Sequence, residues 1–351
     1  MPHGQEDRSS VSTCNHAFVI TPKAFTPPSR VDRDGGCRHR RYAVGPAPQT
    51  TTMPSPTPTH LDRSAAALMV LLCTLWGIQQ VAVKLALAGI SPVAQAGVRS
   101  VGACVLVLAW ARLRRVPLWE ADGTLGAGLV AGLLFAGEFA LLYWALEYTT
   151  ASRGVLFLYT APFIVAIGAV RLIPGEHMRR GQWLGLALAF GGVVALFGEN
   201  LLRPAGQAWI GDLMMEGAAI LWAATTLTIK TTRLNRAAPE KTLLYQLGVS
   251  ALALPAVAWL LGEPGLFALT PTVAASLLFQ TVAIATASYL AWFWLVRTYP
   301  ATRLAAFSFL TPVMGVLAGG LLLGEPITPG VTAALALVGS GIWLANRPAK
   351  P

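Results

Sequence analysis

Long apolar segments follow one another from residue 64 to residue 346, with only short breaks between them. The breaks contain turn-forming residues, as in Gly89-Ile90-Ser91-Pro92, Pro174-Gly175 and Gly262-Glu263-Pro264-Gly265. A helix that crosses a bilayer needs about 17–25 mostly apolar residues, and most of the segments have this length. The pattern therefore predicts an all-α polytopic membrane protein with ten transmembrane helices, at about 64–85, 92–112, 123–146, 150–173, 180–198, 209–230, 240–262, 271–297, 300–323 and 329–346.

Two stretches of the chain are alike. The first runs from Trp76 to Lys84 and the second from Trp222 to Lys230, which is 146 positions further along (222 − 76). Later motifs recur in the same way: Thr160-Ala161-Pro162 matches Leu310-Thr311-Pro312, and Gly175-Glu176 matches Gly324-Glu325. The apolar part is therefore predicted to consist of two five-helix repeats, over residues 64–198 and 209–346. In membrane proteins such a repeat most often indicates a transporter.

The composition favours a bilayer as the solvent. Hydrophobic residues make up 54% of the 351 residues, charged residues only 12%, and the mean hydropathy is +0.57. Charged residues normally form about a quarter of a soluble domain. The net charge of +10 does not indicate a nucleic-acid partner, because most Lys and Arg residues flank hydrophobic segments. The four cysteines have no metal or redox spacing, so neither a metal nor a cofactor is predicted.

The first 63 residues differ from the rest. They are rich in Pro, Thr, Ser and Arg and lack apolar periodicity, which predicts a disordered leader. They contain no apolar segment of the secretory-signal type. Met53 lies shortly before the first predicted helix, so two interpretations stay open: residues 1–63 are a native leader, or the natural chain starts at Met53. Residues 347–351 are predicted to form a short cytoplasmic tail.

The basic residues predict the orientation in the membrane. With the N-terminus inside, fourteen Lys and Arg residues fall on the inner side, and only Lys84, Arg153 and Arg203 fall on the outer side. The positive-inside rule therefore places both termini in the cytoplasm. Because each half has an odd number of helices, the two halves must be inverted relative to each other. That arrangement lets inward-open and outward-open conformations share one central site.

In their order and double occurrence, these motifs resemble the EamA family of the drug/metabolite transporter superfamily. The matching residues are Leu71 to Lys84, Ala145 to Ser152 and Pro162 in the first half, and Trp222 to Lys230, Pro300-Ala301-Thr302, Pro312 and Gly324-Glu325-Pro326 in the second. The resemblance covers about residues 64–346. It implies a ten-helix transporter of small metabolites in the cytoplasmic (inner) membrane, driven by an ion gradient or by exchange, without ATP. It selects no substrate; export is the favoured direction.

Three ionisable side chains lie inside predicted helices, where each costs about 2.5–3.5 kcal/mol on insertion scales. At 1.5 Å per residue, Arg99, Glu138 and Glu216 each lie roughly 10–12 Å from the outer end of their helices. The functional interpretation is a charged cluster in the outer half of a central cavity, with Glu138 or Glu216 as proton carrier. The structural interpretation is a permanent Arg99–Glu138 pair that fixes helix register. Asp212, closer to a helix end, is expected to need only interfacial hydration.

The uncharged candidates are amides and indoles. In lipid an amide must find partners, so the glutamines inside helices are predicted to face protein or water: Gln79, Gln80, Gln246 and Gln280. Trp76 and Trp222 lie well inside their helices at matching repeat positions, so they are predicted to line the cavity, with simple helix packing as the alternative. Such a cavity suits amphipathic or amino-acid-like solutes.

Proline and glycine positions predict where helices bend and approach. Pro162 and Pro312 lie inside their predicted helices at matching repeat positions, and each is predicted to kink its helix because it removes a backbone hydrogen bond. The small residues of Gly128 to Gly132 and Gly315 to Gly319 predict close helix packing.

Two other function classes stay open. A membrane-embedded enzyme needs a convergent catalytic set, but all five histidines lie in the leader or in a loop, and no GxxxxGK[ST] phosphate loop occurs. A sensor or scaffold without transport is the other alternative, although the sequence offers no soluble effector domain apart from the leader. We therefore predict a secondary transporter, not an enzyme. Its predicted partners are a small-molecule solute, the lipid bilayer and a coupling ion such as a proton; a homodimer is not indicated.

Overall fold

The computed structural model describes residues 61–145, 147–149, 151–198, 206–324 and 329–347. Apart from the connecting loops these residues are helical, and the only β-type pairing among them is an isolated bridge between Ile90 and Leu266. The helices are α1 (Arg63–Ala86), α2 (Pro92–Leu113), α3 (Leu125–Ala145), α4 (Ala151–Leu158), α5 (Ala161–Leu172), α6 (Arg180–Phe197), α7 (Ala208–Thr231), α8 (Pro239–Leu260), α9 (Pro271–Phe279), α10 (Tyr289–Thr298), α11 (Ala301–Ser308), α12 (Leu310–Leu323) and α13 (Pro329–Asn346), with a π-helix (Gln280–Ser288) between α9 and α10 and a 3-10 turn (Arg233–Arg236) after α7. The predictions for the leader before residue 61, for Arg203 and for Glu325-Pro326 lie outside the described residues.

Eight spans in the described part of the chain are long and apolar enough to cross a membrane. They are α1, α2, α3, the α4–α5 segment, α6, α8, the α9–α10 segment and the α11–α12 segment. Two further predicted spans fall short. With 24 residues α7 is long enough, but it carries Asp212, Glu216 and Lys230. The apolar stretch of α13, Gly330–Asn346, is shorter than the others. The structure thus supports eight spans by length and composition, and the count of ten stays a prediction.

The predicted fourth and ninth spans are each broken near their middle. The first break lies between α4 and α5, and the second between α11 and α12, at Phe309. Pro162 is the second residue of α5 and Pro312 is the third residue of α12. In the first turn of a helix the missing N–H costs no hydrogen bond. The sequence predicts a kink within one helix at each proline; in the structure the helix is interrupted just before each proline, which lies in the first turn of the next segment. Pro255, which does lie inside a helix, α8, was not singled out.

Helices α2 and α8, which have the same position in their halves, pack antiparallel. Glu263, just beyond the end of α8, accepts hydrogen bonds from the backbone N–H groups of Val93 (3.0 Å) and Ala94 (2.8 Å) at the start of α2. At the opposite end, Lys241 near the start of α8 binds Asp122, which follows α2. Equivalent helices of the two halves thus run in opposite directions here.

The same relation holds for α6 and α13, the last helices of the two halves. A Cβ atom added to Gly185 would lie 2.5 Å from the backbone nitrogen of Ala345, and one added to Gly192 would lie 2.7 Å from a methyl group of Val338. The earlier residue of α6 thus contacts the later residue of α13, and the later residue of α6 contacts the earlier residue of α13. These helices are therefore also antiparallel. Close approach of small residues holds this interface together.

The loop between α2 and α3 is tied to α8 through Asp122. Thr124 Oγ1 donates a hydrogen bond to Asp122 Oδ1 (2.6 Å), and Lys241 Nζ lies 2.9 Å from Oδ2. The pKa of Asp122 is lowered from 3.8 to about 2. The hydrogen bond from Thr124 is the largest cause, and Lys241 is the second. Because the folded pKa is the lower one, the carboxylate stabilises the fold above about pH 4, and this contribution is lost as the pH falls towards 2.

We expect Asp122→Asn to lower the melting temperature of the detergent-solubilised protein at neutral pH. The difference from the wild type should shrink as the pH falls from about 4 to about 2, because the wild-type carboxyl group is then protonated. Thermal unfolding across a pH series measures this. Glu120→Gln, at a neighbouring exposed acid, is the control and should show no difference. A gap of constant size down to pH 2 would contradict the role given to the carboxylate.

Candidate solute cavity

A cavity of about 160 Å³ lies at the centre of the bundle, between the two halves. Its wall contains residues of both halves: Trp76, Gln79, Gln80, Val83, Phe135, Glu138, Phe139, Leu142, Tyr143, Leu158 and Tyr159 from the first, and Trp222, Thr225, Thr226, Gln246, Tyr289, Trp292, Phe293 and Thr311 from the second. The wall is mostly aromatic and apolar, with a few polar groups. A concave, largely apolar site of this kind is typical of small-molecule binding.

Each of the two repeat-related tryptophans packs against an aromatic ring of the other half. Trp76 lies edge-on to Trp292, with ring centroids 5.5 Å apart, and its Nε1–H donates a hydrogen bond to Ser288 Oγ (2.9 Å). Trp222 lies edge-on to Tyr159, with centroids 6.0 Å apart. Edge-to-face pairs are the favoured arrangement for aromatic rings. The tryptophans therefore line the cavity and also join the two halves.

A pair of polar residues lies one turn after each tryptophan. Gln79 and Gln80 on α1 line the cavity, and so do Thr225 and Thr226 on α7. The threonines were not among the predicted site residues, although the repeat offset of 146 places them opposite the glutamines (225 − 79). Their hydroxyl groups donate to backbone carbonyls of the preceding turn, at 2.9 and 3.2 Å. Applying the repeat offset to Gln79 and Gln80 would have found them.

Glu138 is the carboxylate of the cavity wall, and Arg99 lies behind it. Glu138 is 8% exposed and Arg99 only 1%. The Arg99 guanidinium lies 4.3 Å from the ring centre of Phe139 and interacts electrostatically with Glu138. Neither Nε nor Nη1 of Arg99 has a hydrogen-bond partner among the described residues, and its guanidinium forms no ion pair with Glu138 within 4 Å there. The permanent ion pair of the structural interpretation is therefore not formed.

The other predicted site residues are placed differently. Gln246 lines the cavity, and its Nε2 donates to the Thr242 carbonyl at 3.2 Å. Glu216 lies outside the lining, where Thr160 Oγ1 lies 3.0 Å from each of its carboxylate oxygens. Gln280 also lies outside the lining, fully buried at the start of the π-helix, with no partner for its amide among the described residues. Of the three charges predicted at one depth, the structure brings together only Arg99 and Glu138.

The sequence predicts that Asp212 needs only hydration at the membrane interface, and the structure corrects this prediction. Asp212 is buried, and Arg153 Nη2 and Nε both lie 2.7 Å from its Oδ2. Thr149 Oγ1 also donates to its Oδ1 at 3.0 Å. The residue lies near a helix end, but the start of α4 covers it. The sequence could not show this, because the partners lie about 60 positions away (212 − 153).

Several further residues of the wall were not predicted from the sequence. Phe135, Phe139 and Phe293 line the cavity, as does Thr311, whose hydroxyl has no hydrogen-bond partner among the described residues. The arrangement offers aromatic faces, amide and hydroxyl groups and one acid. These groups can bind an amphipathic solute. Among the described residues, no cluster of three His, Cys, Asp or Glu side chains could hold a metal ion.

Comparison with known proteins assigns the family. The chain matches the EamA-like transporter family twice, over residues 63–198 and 209–347. It is 28% identical over 292 residues to "Uncharacterized transporter YvbV" of Bacillus subtilis (81% of this chain, 92% of that protein) and 28% identical over 296 residues to "Probable amino-acid metabolite efflux pump" of Salmonella typhimurium (81% and 95%). A solved crystal structure shares the fold, with a TM-score of 0.70 over 80% of this chain and 98% of that chain at 19% identity. The protein is thus a multi-pass membrane protein and belongs to the EamA-like transporter family.

Proposed function

We propose that the protein is a secondary active transporter of the cytoplasmic membrane, with both termini in the cytoplasm, that exports small metabolites or amphipathic solutes by alternating access. The observation that carries this proposal is the central cavity, whose wall contains residues of both halves, among them the matching positions Trp76 and Trp222. The antiparallel packing of α2 with α8 and of α6 with α13 supports an inverted relation between the halves. Inverted halves around one site can form two conformations that open to opposite sides.

Glu138 is the proposed coupling acid. Two opposing effects set its affinity for a proton: removal of the carboxylate from water, and attraction by the Arg99 guanidinium. Arg99 lies on α2 and Glu138 on α3, so a small relative movement of these helices changes the balance between the two effects. A proton could then be taken up in one conformation and released in the other. Glu216 is the second candidate, but it faces Thr160 and not the cavity.

Amino-acid metabolites are the first solutes to test. The name of the Salmonella relative describes an amino-acid metabolite efflux pump, and a relative of the same name occurs in Escherichia coli, 27% identical over 296 residues. The aromatic walls of this cavity, with amide groups and one acid, suit solutes that combine an apolar part with a polar end.

Transport in liposomes tests the proposal. Purified protein is reconstituted, a pH or solute gradient is imposed, and labelled amino acids, nucleosides and cationic amphiphiles are followed. We expect at least one class to accumulate against its gradient and to exchange with unlabelled solute on the other side. Liposomes without protein, and liposomes with both gradients collapsed, are the controls. Equal distribution of every solute under all imposed gradients would contradict the proposal and favour a sensor or scaffold.

A further inference from the structure

The two ends of the bundle carry similar contacts between the halves. At one end, Asp212 of α7 accepts hydrogen bonds from Thr149, two residues before α4, and from Arg153, the third residue of α4. At the opposite end, Asp62, the N-cap residue of α1, accepts a hydrogen bond from the hydroxyl group of Tyr299 at 2.9 Å. Tyr299 lies two residues before α11, as Thr149 does before α4. In both cases a hydroxyl group of one half binds an acid at the start of the other half.

The two acids are close to equivalent in the repeat. The offset of 146 takes Asp62 to position 208, and Asp212 lies four residues beyond it. Residues four apart lie one above the other on the same face of a helix. Asp212 is therefore one turn deeper on the same face, which agrees with its greater burial: Asp212 is buried, whereas Asp62 is exposed.

The two arginines differ in whether they bind the acid: Arg153 binds Asp212. Arg303 is the third residue of α11 and so corresponds to Arg153, but it does not bind Asp62 in this structure. Its Nη1 donates instead to the carbonyl groups of Ala345 and Arg347 at the end of α13. A cation is favoured at this position because the carbonyl groups at a helix C-terminus carry partial negative charge. One end thus has an ion pair between an arginine and an aspartate, and the other has a hydrogen bond between a tyrosine and an aspartate.

We propose that Arg153 and Arg303 exchange roles during transport. In the opposite-facing conformation, Arg303 binds Asp62, and Arg153 releases Asp212. This inference rests on the proposed function, because it requires the two conformations of an inverted-repeat transporter. In such a protein the halves exchange their conformations. A difference between equivalent contacts in one conformation therefore gives the contacts of the other.

Asp62 has room for the incoming arginine. Its Oδ1 accepts from the Ala65 backbone N–H and the Ser64 hydroxyl group, and its Oδ2 accepts from Tyr299 alone among the described residues. Each carboxylate oxygen has two acceptor positions, so Oδ2 can bind Arg303 and Tyr299 together. An ion pair then breaks at one end as another forms at the opposite end. The exchange keeps the two conformations close in free energy, as a carrier that visits both requires.

Two matched substitutions test the exchange: Asp212→Asn and Asp62→Asn. Asparagine at position 62 remains a good N-cap and can still accept from Tyr299, so the present conformation keeps its contacts. The populations are measured by electron–electron distance spectroscopy in lipid nanodiscs. Spin labels are attached to Cys at Glu147 and Gln207, two exposed positions near the Arg153–Asp212 contact, in a chain with its four native cysteines replaced.

The two variants should shift the populations in opposite directions. The short distance between the labels at positions 147 and 207 belongs to the present conformation, in which Arg153 binds Asp212. Asp212→Asn should reduce the fraction of molecules with this distance, and Asp62→Asn should raise it. Each change should be about threefold or more, as expected for loss of a partly buried ion pair. Arg153→Lys keeps the charge and should give a smaller shift in the direction of Asp212→Asn, which covers the case that Asp212→Asn fails to fold. Shifts in the same direction, or an unchanged distance in either aspartate variant, would overturn the exchange.

This outcome is separate from the proposed function, because the distances are measured without solute. Gradient-driven transport by the wild type, combined with no opposite shifts, would overturn the exchange of arginines alone. Failure of the wild type to move any solute would overturn the proposed function, whatever the distances show.

Discussion

Glu138→Gln is expected to abolish solute accumulation driven by a pH gradient while solute binding persists. The side chain keeps its size and still lines the cavity, but it can no longer take up or release a proton. Glu138 is the only carboxylate of the cavity wall among the described residues. Its side chain is only 8% exposed, and the Arg99 guanidinium lies behind it. Intramembrane acids of this kind are typical of proton relays. Uptake into reconstituted liposomes with an imposed pH gradient measures the effect.

Two controls separate coupling from folding. Glu138→Asp keeps the acid on a shorter side chain and should retain part of the gradient-driven transport. Glu216→Gln removes an acid outside the cavity lining, bound by Thr160, and should leave coupling intact. Solute exchange at equal pH, together with the melting temperature, shows whether each variant is folded. If folded Glu138→Gln responds to the pH gradient like the wild type, Glu138 is not the coupling acid.

Gly185→Ala is expected to destabilise the protein by about 1–3 kcal/mol, the usual cost of overpacking a tight interface. A Cβ atom at Gly185 would lie 2.5 Å from the backbone nitrogen of Ala345 and 2.6 Å from the carbonyl oxygen of Gly341. These are backbone atoms, which cannot move aside as a flexible side chain can, so α6 and α13 must separate. Thermal or denaturant unfolding in detergent measures the loss.

Each helix of this interface provides its own matched control. On α6, Gly191 has no atom within 4 Å of an added Cβ, and on α13 the same is true of Gly339. Gly191→Ala and Gly339→Ala should be neutral or slightly stabilising, because alanine favours the helix by about 1 kcal/mol over glycine. Gly341→Ala, close to the backbone of Ala189, should behave like Gly185→Ala. Equal effects at Gly185 and Gly191 would contradict the close α6–α13 contact.

Most helix positions could be predicted from the sequence, because bilayer-crossing segments are long and their breaks carry Gly and Pro. The first helix was predicted at about 64–85 and runs from Arg63 to Ala86. Kinks were predicted at Pro162 and Pro312, but not that each helix is interrupted just before its proline, since the apolar pattern runs through both points without interruption. The π-helix that begins at Gln280 also has no sequence signal of its own. Its backbone is determined by packing, which local composition does not encode.

The site was partly predictable, for a physical reason. Polar groups are costly in lipid, so Glu138, Gln79 and Gln246 could be selected, and all three line the cavity. The same cost also selected Arg99 and Gln280, which are buried outside the lining. The cost requires only that a polar side chain has a polar environment, and this environment need not be the cavity. Apolar wall residues give no such signal.

The most direct measurement is the accessibility of the cavity from each side of the membrane. A single cysteine replaces Gln80, in the cavity wall, in a chain without native cysteines, and sealed proteoliposomes are treated with a membrane-impermeant maleimide from outside or from inside. Leu278→Cys, on a side chain 65% exposed to the surroundings of the bundle, is the control for lipid-facing thiols and should stay unmodified. Alternating access predicts that the cysteine at position 80 is modified from both sides, with an imposed gradient changing the balance. Modification from one side only, under every gradient and solute, would contradict a shared cavity that opens in turn to the two sides of the membrane.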